Sequence, residues 1–310
     1  MSIAEERVST IVNQSPSQRQ LWYAAIKPPM YTVAVIPITF GTALAYRETG
    51  LFNLNVYLTF LLSAILIIAW LNLTNDVFDA NTGIDVNKAH SIVNLTGNQR
   101  LIFWIANIFL IFGLIGIVLI NYWQNDWTVF GVILACCFLG YTYQGPPFRL
   151  GYLGLGEIIC FFTFGPMAIA ATYYSQSQDF SLNSLWASIL IGISTSIILF
   201  CSHFHQIKDD ILAGKKSPIV RLGTKKSAQV LTLSVILFFL VTIILILIGT
   251  LPLTTSIVIL SFPIAIQLIT LVRANHNQPE QIKNSKFIAV NLHFVSGLLL
   301  SLGLILKLSW

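Results

Sequence analysis

Charge is what this chain has least of. Lys, Arg, Asp and Glu make up 9% of its 310 residues against 55% hydrophobic ones, and the mean hydropathy is +0.78. Soluble domains carry about a quarter charged residues, so that class is excluded, and no nucleic-acid partner is expected. Also missing is the ten-residue apolar–polar alternation of a membrane barrel; the apolar runs are long and unbroken, as spanning helices require. Cysteine is scarce: Cys136, Cys137, Cys160 and Cys201 all lie in apolar runs, without the spacing of a metal or redox motif. That pattern reads as buried structural thiols. No secretory leader precedes the first span, and Glu5 and Glu6 are unlike an acid-poor transit peptide. A bacterial plasma membrane or internal membrane therefore fits better than organelle import.

What is present is a series of apolar stretches at about 30–46, 54–75, 100–121, 127–143, 155–173, 184–205, 227–248, 251–272 and 288–308. Each is near the ~20 residues that cross a bilayer. The expected fold is all-α: a polytopic membrane protein with nine transmembrane helices in one bundle, forming a single domain over 30–310. Residues 1–29 read as a polar tail and a short amphipathic interfacial helix within 16–29, ended by Pro28-Pro29. Every Lys and Arg except Arg47 and Lys307 lies at the N-terminus or in the loops after spans two, four, six and eight. That asymmetry puts these loops in the cytoplasm.

Two aspartate clusters lie on that same side. Asn72-Leu-Thr-Asn75-Asp76-Val-Phe-Asp79, followed by Gly83-Ile-Asp85, ends the second span, and Asp209-Asp210 ends the sixth. In a continuing helix Asp76 and Asp79 share one face at i and i+3. They sit where the helix dipole disfavours carboxylates, which makes sense if a cation is bound between them. Nearby cations include Lys88, Lys215 and Lys216, with Gln206 just before the second cluster. Carboxylates mixed with cations at the mouth of a bundle suit a diphosphate bridged by magnesium, Mg2+ taking one or two carboxylates plus phosphate oxygens. The candidate metal ligands are Asp76, Asp79, Asp85, Asp209 and Asp210. Lys225, Lys226, Arg273, Lys283 and Lys286 read as loop-solvating charges.

The loop after span four, Tyr141-Thr-Tyr143-Gln-Gly-Pro-Pro-Phe-Arg149 through Gly156-Glu157, is a shaped turn, costly inside a helix. Tyr141 and Tyr143 suit an aromatic acceptor's pocket, a carbocation, or equally an interfacial belt. Glu157 opens an apolar span and calls for a partner or a function rather than free solvation. His203 and His205, two apart, point to different sides of a helix and share no metal. His276 and His293 show no partner in sequence and read as structural or interfacial.

Asn75-Asp-Val-Phe-Asp79 with a second Asp-rich loop in a nine-span chain resembles the UbiA superfamily of intramembrane prenyltransferases. The Tyr143–Glu157 stretch and His203-Phe-His-Gln206 through Asp210, Gly214-Lys-Lys-Ser-Pro-Ile-Val-Arg-Leu-Gly223 are similar to its 1,4-dihydroxy-2-naphthoate branch, above all to phytyl-transferring members of cyanobacteria and plastids. The chain departs from the superfamily at Gln206, where an aspartate is usual four residues before Asp210. The resemblance implies a magnesium-dependent enzyme of a cyanobacterial inner or thylakoid membrane, embedded in lipid with its active-site loops on the cytoplasmic side. It would join phytyl diphosphate to 1,4-dihydroxy-2-naphthoate with loss of CO2 and diphosphate, in phylloquinone synthesis. Asp76, Asp79, Asp210, Asn75 and Lys215 would be catalytic. Asn72, Lys88, Tyr141, Tyr143, Arg149, Gln206 and Lys216 would bind substrates, with Arg149 or Lys216 as candidates for the acceptor carboxylate. The alternatives are polyprenyl transfer for menaquinone or to another aromatic acceptor and, from a different class, a secondary transporter. A transporter usually carries midplane charges and an inverted repeat, and neither is evident here.

Overall fold

The structure, a computed structural model, describes residues 17–84 and 91–306, and no β-strand occurs among them. Helix α1 (Gln18–Ile26) starts at a capping box in which Ser17 and Gln20 satisfy each other's backbone N–H groups. It stops where Lys27 turns left-handed ahead of Pro28 and Pro29. A helix is thus present within the stretch read from the sequence, with Trp22, Tyr23 and Ile26 exposed on it. A 3-10 turn (Pro28–Tyr31) leads into α2 (Thr32–Thr49), and then come α3 (Leu54–Thr82), α4 (Ile92–Thr96), α5 (Gln99–Gln124) and α6 (Thr128–Gln144).

The next span reads as uninterrupted in sequence, but the structure breaks it. Helices α7 (Gly156–Phe162) and α8 (Ala168–Ser177) are joined by a π turn over Thr163–Met167. Pro166 within it has no N–H for the helical ladder. Gly165 approaches so near to α9 (Leu182–Leu212) that a Cβ there would lie 2.8 Å from the Gly192 Cα. After α9 come α10 (Pro218–Leu222) and α11 (Thr224–Leu247). A 3-10 stretch (Leu253–Ser261) runs into α12 (Phe262–Asn275), and α13 (Pro279–Ile282) and α14 (Ser285–Ile305) follow.

Every apolar stretch read from the sequence falls on a helical segment. Eight segments among the described residues are long and apolar enough to cross a membrane, while α6 is a shorter apolar helix of 17 residues. Two apolar cores organise them, one built on α2, α9, α11, α12 and α14, the other on α3, α5 and α6. Burial separates centre from periphery: 72% of the α9 span is buried against 22% of α5, whose Ile108, Ile111, Phe112 and Ile115 face outward as a lipid-facing helix should.

Two helices are longer than a bilayer crossing needs. α3 has 29 residues and α9 has 31, so each is about 45 Å long at 1.5 Å per residue, against a hydrocarbon core of about 30 Å. Their last turns carry the aspartates. No substantial packing joins α3 to α9, and the space between them is the cavity described next.

Candidate active site

The cavity measures about 280 Å³ and has a polar mouth over an apolar floor. Asn72, Asn75, Asp76 and Asp79 from α3 line one wall of the mouth with Gln144 from α6; His203 and Gln206 from α9, Lys215 and Lys286 line the other. Along α3 the lining runs from Asp76 down to Phe60, about 24 Å at 1.5 Å per residue. Deeper surfaces come from Pro37, Ile38, Ile133 and Ile198, and from the π turn through Thr163 and Phe164.

Helix α3 continues through the acids, so Asp76 and Asp79 do lie one turn apart. Asp76 is 1% exposed. Its Oδ1 accepts from the Lys27 ammonium at 2.7 Å, and its Oδ2 accepts from the Ile92 N–H at the start of α4 at 3.2 Å. The Gln144 amide donates to Asp79 Oδ1. The Tyr152 hydroxyl stands 3.5 Å from the same oxygen and 2.6 Å from Thr82 Oγ1. Burial, assisted by the Asp79 charge, pushes the Tyr152 phenol up to about 12, so it keeps its proton at neutral pH. Two buried polar groups of this wall, the Asn72 amide nitrogen and Gln144 Oε1, have no hydrogen-bond partner in the structure.

The second cluster is arranged differently. Asp210 is fully buried and does not line the cavity. Its Oδ2 lies 3.0 Å from His203 Nδ1, seven residues and about two turns earlier, and its Oδ1 lies 3.6 Å from the Lys215 ammonium. The Lys215 N–H also donates to the Asp210 carbonyl at 2.8 Å. The far side of the ring, His203 Nε2, is 3.5 Å from Glu157, which supplies the partner that the sequence called for. Lys215 Nζ sits 5.8 Å over the Tyr152 ring. Arg221 clips the two loops together by donating to the carbonyls of Leu153 and Lys216.

The sequence-predicted residues are therefore only partly assembled. Asn72, Asn75, Asp76, Asp79, Tyr143, Gln206 and Lys215 meet in the cavity. Asp85, Lys88 and His90 lie outside the described residues. Asp209 is adjacent to Asp210 on the helix, about 100° round, and does not line the cavity. Among the described residues no group of three or more His, Cys, Asp or Glu is placed to hold a metal, so the two aspartate clusters do not converge as the sequence reading expected. Lys216 is exposed, Arg149 does not line the cavity, and Tyr141 braces the turn through a 2.7 Å bond to the Pro146 carbonyl.

Several participants were not singled out from sequence. Lys27 reaches the mouth from the interfacial helix, and Lys286, read there as a solvating charge, lines the cavity. Cys136, Cys137 and Cys160 are free thiols that line its floor rather than only filling a core. His276 and His293 also have partners, Thr224 Oγ1 at 3.0 Å and Ser194 Oγ at 2.8 Å. Gln144 could have been found from its place at the end of a span; Lys27 had no local signal.

A bundle of membrane-length helices around one cavity, anionic at the mouth and apolar below, defines an intramembrane enzyme of the all-helical prenyltransferase class. The chain belongs to the UbiA prenyltransferase family, whose model matches residues 34–295. It is 63% identical over 289 residues to the 2-carboxy-1,4-naphthoquinone phytyltransferase of Synechocystis sp., covering 93% of this chain and 94% of that one. It is 42% identical to the chloroplastic 2-carboxy-1,4-naphthoquinone phytyltransferase of Arabidopsis thaliana, covering 94% of this chain and 78% of the relative. A UbiA homolog from Archaeoglobus fulgidus solved with GPP and Mg2+ shares the fold, with a TM-score of 0.60 at 17% identity over 91% of this chain and 98% of that one.

Proposed function

We propose that this protein transfers the phytyl group of phytyl diphosphate to 1,4-dihydroxy-2-naphthoate, releasing diphosphate and CO2 and forming the demethylated precursor of phylloquinone. The observation that carries this reading is the 63% identity to the Synechocystis phytyltransferase along nearly both whole chains. The cavity agrees with it in shape. At roughly 1.2 Å per bond for an extended chain, the sixteen-carbon backbone of a phytyl tail is about 18 Å long, within the apolar run below Asp76.

The donor set suits a hard cation. Asp76 and Asp79 offer carboxylate oxygens one turn apart, with the unpartnered Gln144 Oε1 beside them. Magnesium, when bound there, supplies the positive charge that neutralises the leaving diphosphate. Asn72 offers its buried, unpartnered amide N–H to a phosphate oxygen, and Lys27 and Lys215 add ammonium groups at the same end. Asp210 and His203 act through Lys215, which they hold in place. The floor excludes water from the allylic cation that forms when the C–O bond breaks, and the Tyr143 ring lies on the wall of the same space.

The carbon of the acceptor that bears the carboxylate then bonds to the allylic carbon. The electron pair of its bond to the carboxylate returns to the ring as CO2 departs, so aromaticity is restored with no proton transferred. The abundance of Lys and Arg on the loops that form the mouth supports a cytoplasmic active site. The test is a product assay with purified protein, magnesium and 1,4-dihydroxy-2-naphthoate, offering phytyl and all-trans polyprenyl diphosphates in competition. A phytylated, decarboxylated naphthoquinol is the expected product; a polyprenyl product would move the protein to menaquinone synthesis.

A further inference from the structure

The apolar end of the cavity is marked by three helices that close beneath it. On α3 the lining recurs on one face, at Leu71, Ile68, Ile67, Ala64 and Phe60. Tyr57, the next position on that face, does not line the cavity; its hydroxyl lies 3.1 Å from Thr39 Oγ1 on α2. Two residues further along α2, Gly41 closes against α8. A Cβ there would stand 2.8 Å from Thr172 Cβ and 3.3 Å from the Ile169 carbonyl oxygen. Ile38 on α2 and Ala168 on α8 do line the cavity, and each immediately precedes one of these contacts. Below Phe60, therefore, α2 is joined to α3 on one side and to α8 on the other. Phe60 is 1% exposed, so its ring is packed into that closure.

Depth turns the closure into a gauge. Phe60 and Asp76 are sixteen residues apart on one helix, about 24 Å at 1.5 Å per residue. The phytyl backbone takes about 18 Å of that, which leaves about 6 Å for the diphosphate head. A fifth isoprene unit adds four bonds, roughly 5 Å, and the run has no room for it. We propose that Phe60 limits the donor tail to four isoprene units by closing the cavity against longer prenyl diphosphates. This inference rests on the prenyl-transfer reading above and specifies the length of donor that the site selects. Truncating the ring lets a tail advance toward Tyr57. A ring placed one turn nearer the mouth, at Ala64, shortens the run by about 6 Å, close to one isoprene unit.

The experiment measures kcat/KM with purified protein, magnesium and 1,4-dihydroxy-2-naphthoate. The donors are all-trans prenyl diphosphates of fifteen, twenty and twenty-five carbons, with phytyl diphosphate alongside. The wild type is expected to use the twenty-carbon donors about thirtyfold better than the twenty-five-carbon one, the cost of forcing extra methylenes into a filled site. Phe60→Ala should bring that ratio within about threefold and keep the twenty-carbon donors within about fivefold of wild type. Ala64→Phe adds its ring to the cavity and leaves the packed floor intact. It should lose the twenty-carbon donors by about thirtyfold and keep the fifteen-carbon one within about threefold. Leu58→Ala, at an exposed residue of α3, controls for loss of an apolar side chain and should move none of the ratios. An unmoved ratio in either variant that melts as a folded protein overturns the assignment. So does wild-type protein that takes the twenty-five-carbon donor as readily as phytyl diphosphate, because the tail then leaves the cavity by another route. Wild-type protein that prenylates this acceptor with none of the donors would overturn the functional reading itself, which the ratios cannot do.

Discussion

Helices α3 and α9 end alike in sequence, each an overlong apolar segment closed by two acids, and yet they deliver opposite charge to the cavity. On α3 the acids are three residues apart and share a face, so Asp76 and Asp79 both look inward. On α9 they are adjacent, so only one can face the protein. Asp210 turns toward His203 and Lys215 and is covered by them. The result is an anionic wall on α3 and, on α9 and its following loop, a wall of cations and amides held by a hidden anion. The pairing suits a ligand with metal-bridged phosphates on one side and a second anion on the other. Spacing of acids, rather than their number, decides which role each cluster takes.

The largest effects should come from the α3 wall. Asp79→Asn is expected to lower kcat about a thousandfold and to raise the magnesium concentration needed for half-maximal rate, with the melting temperature nearly unchanged. Asp210→Asn should behave differently. It removes one partner from a buried charged cluster, so stability falls by about 3 kcal/mol, and turnover drops about tenfold as Lys215 loses its anchor. The magnesium dependence should stay where it was. A magnesium curve that shifts as far in Asp210→Asn as in Asp79→Asn would make the two walls equivalent and end the contrast.

Lys27 tests the α3 wall from the other direction. Its ammonium balances Asp76, which is 1% exposed, and it arrives from a helix outside the bundle proper. Lys27→Met should cost about 2 kcal/mol in ligand-free protein, read as a lower melting temperature. Adding magnesium with a non-hydrolysable prenyl diphosphate analogue should recover most of that loss, because the bound cation replaces the missing one. No recovery would mean that the pair is structural and that Asp76 does not meet the metal.

Much of this was legible because it is one-dimensional. Hydropathy marks spans, and a helix carried past Asn75 puts Asp76 and Asp79 together with no further information. The π turn needed more than the presence of Pro166, since the near contact of Gly165 with Gly192 spans two helices. Lys27 and Asp76 are 49 residues apart, and nothing local to Lys27 distinguishes it from an interfacial anchor. The inward turn of Asp210 depends on His203, two helical turns earlier, a relation visible only if the helix register and the position of the cavity are both known. That Lys286 lines the cavity depends on how α14 packs against α9, which composition does not show.

The smallest expected effect belongs to Tyr152, which touches both walls. Its ring lies beneath the Lys215 ammonium and its hydroxyl faces Asp79 and Thr82. Tyr152→Phe keeps the ring and removes only the hydroxyl, so Lys215 retains its platform and kcat should fall about threefold to fivefold, the scale of a single long hydrogen bond. The pH response sharpens the assignment. Burial raises this phenol from about 10 to about 12, so the folded protein holds the proton more tightly than the unfolded chain does. The associated stability is full below pH 10 and is lost as pH rises toward 12. Tyr152→Phe should therefore flatten the alkaline decline in melting temperature between those values while leaving the neutral range alone. An unaltered alkaline decline would show that the phenol is solvated, and that the two walls communicate through Lys215 alone.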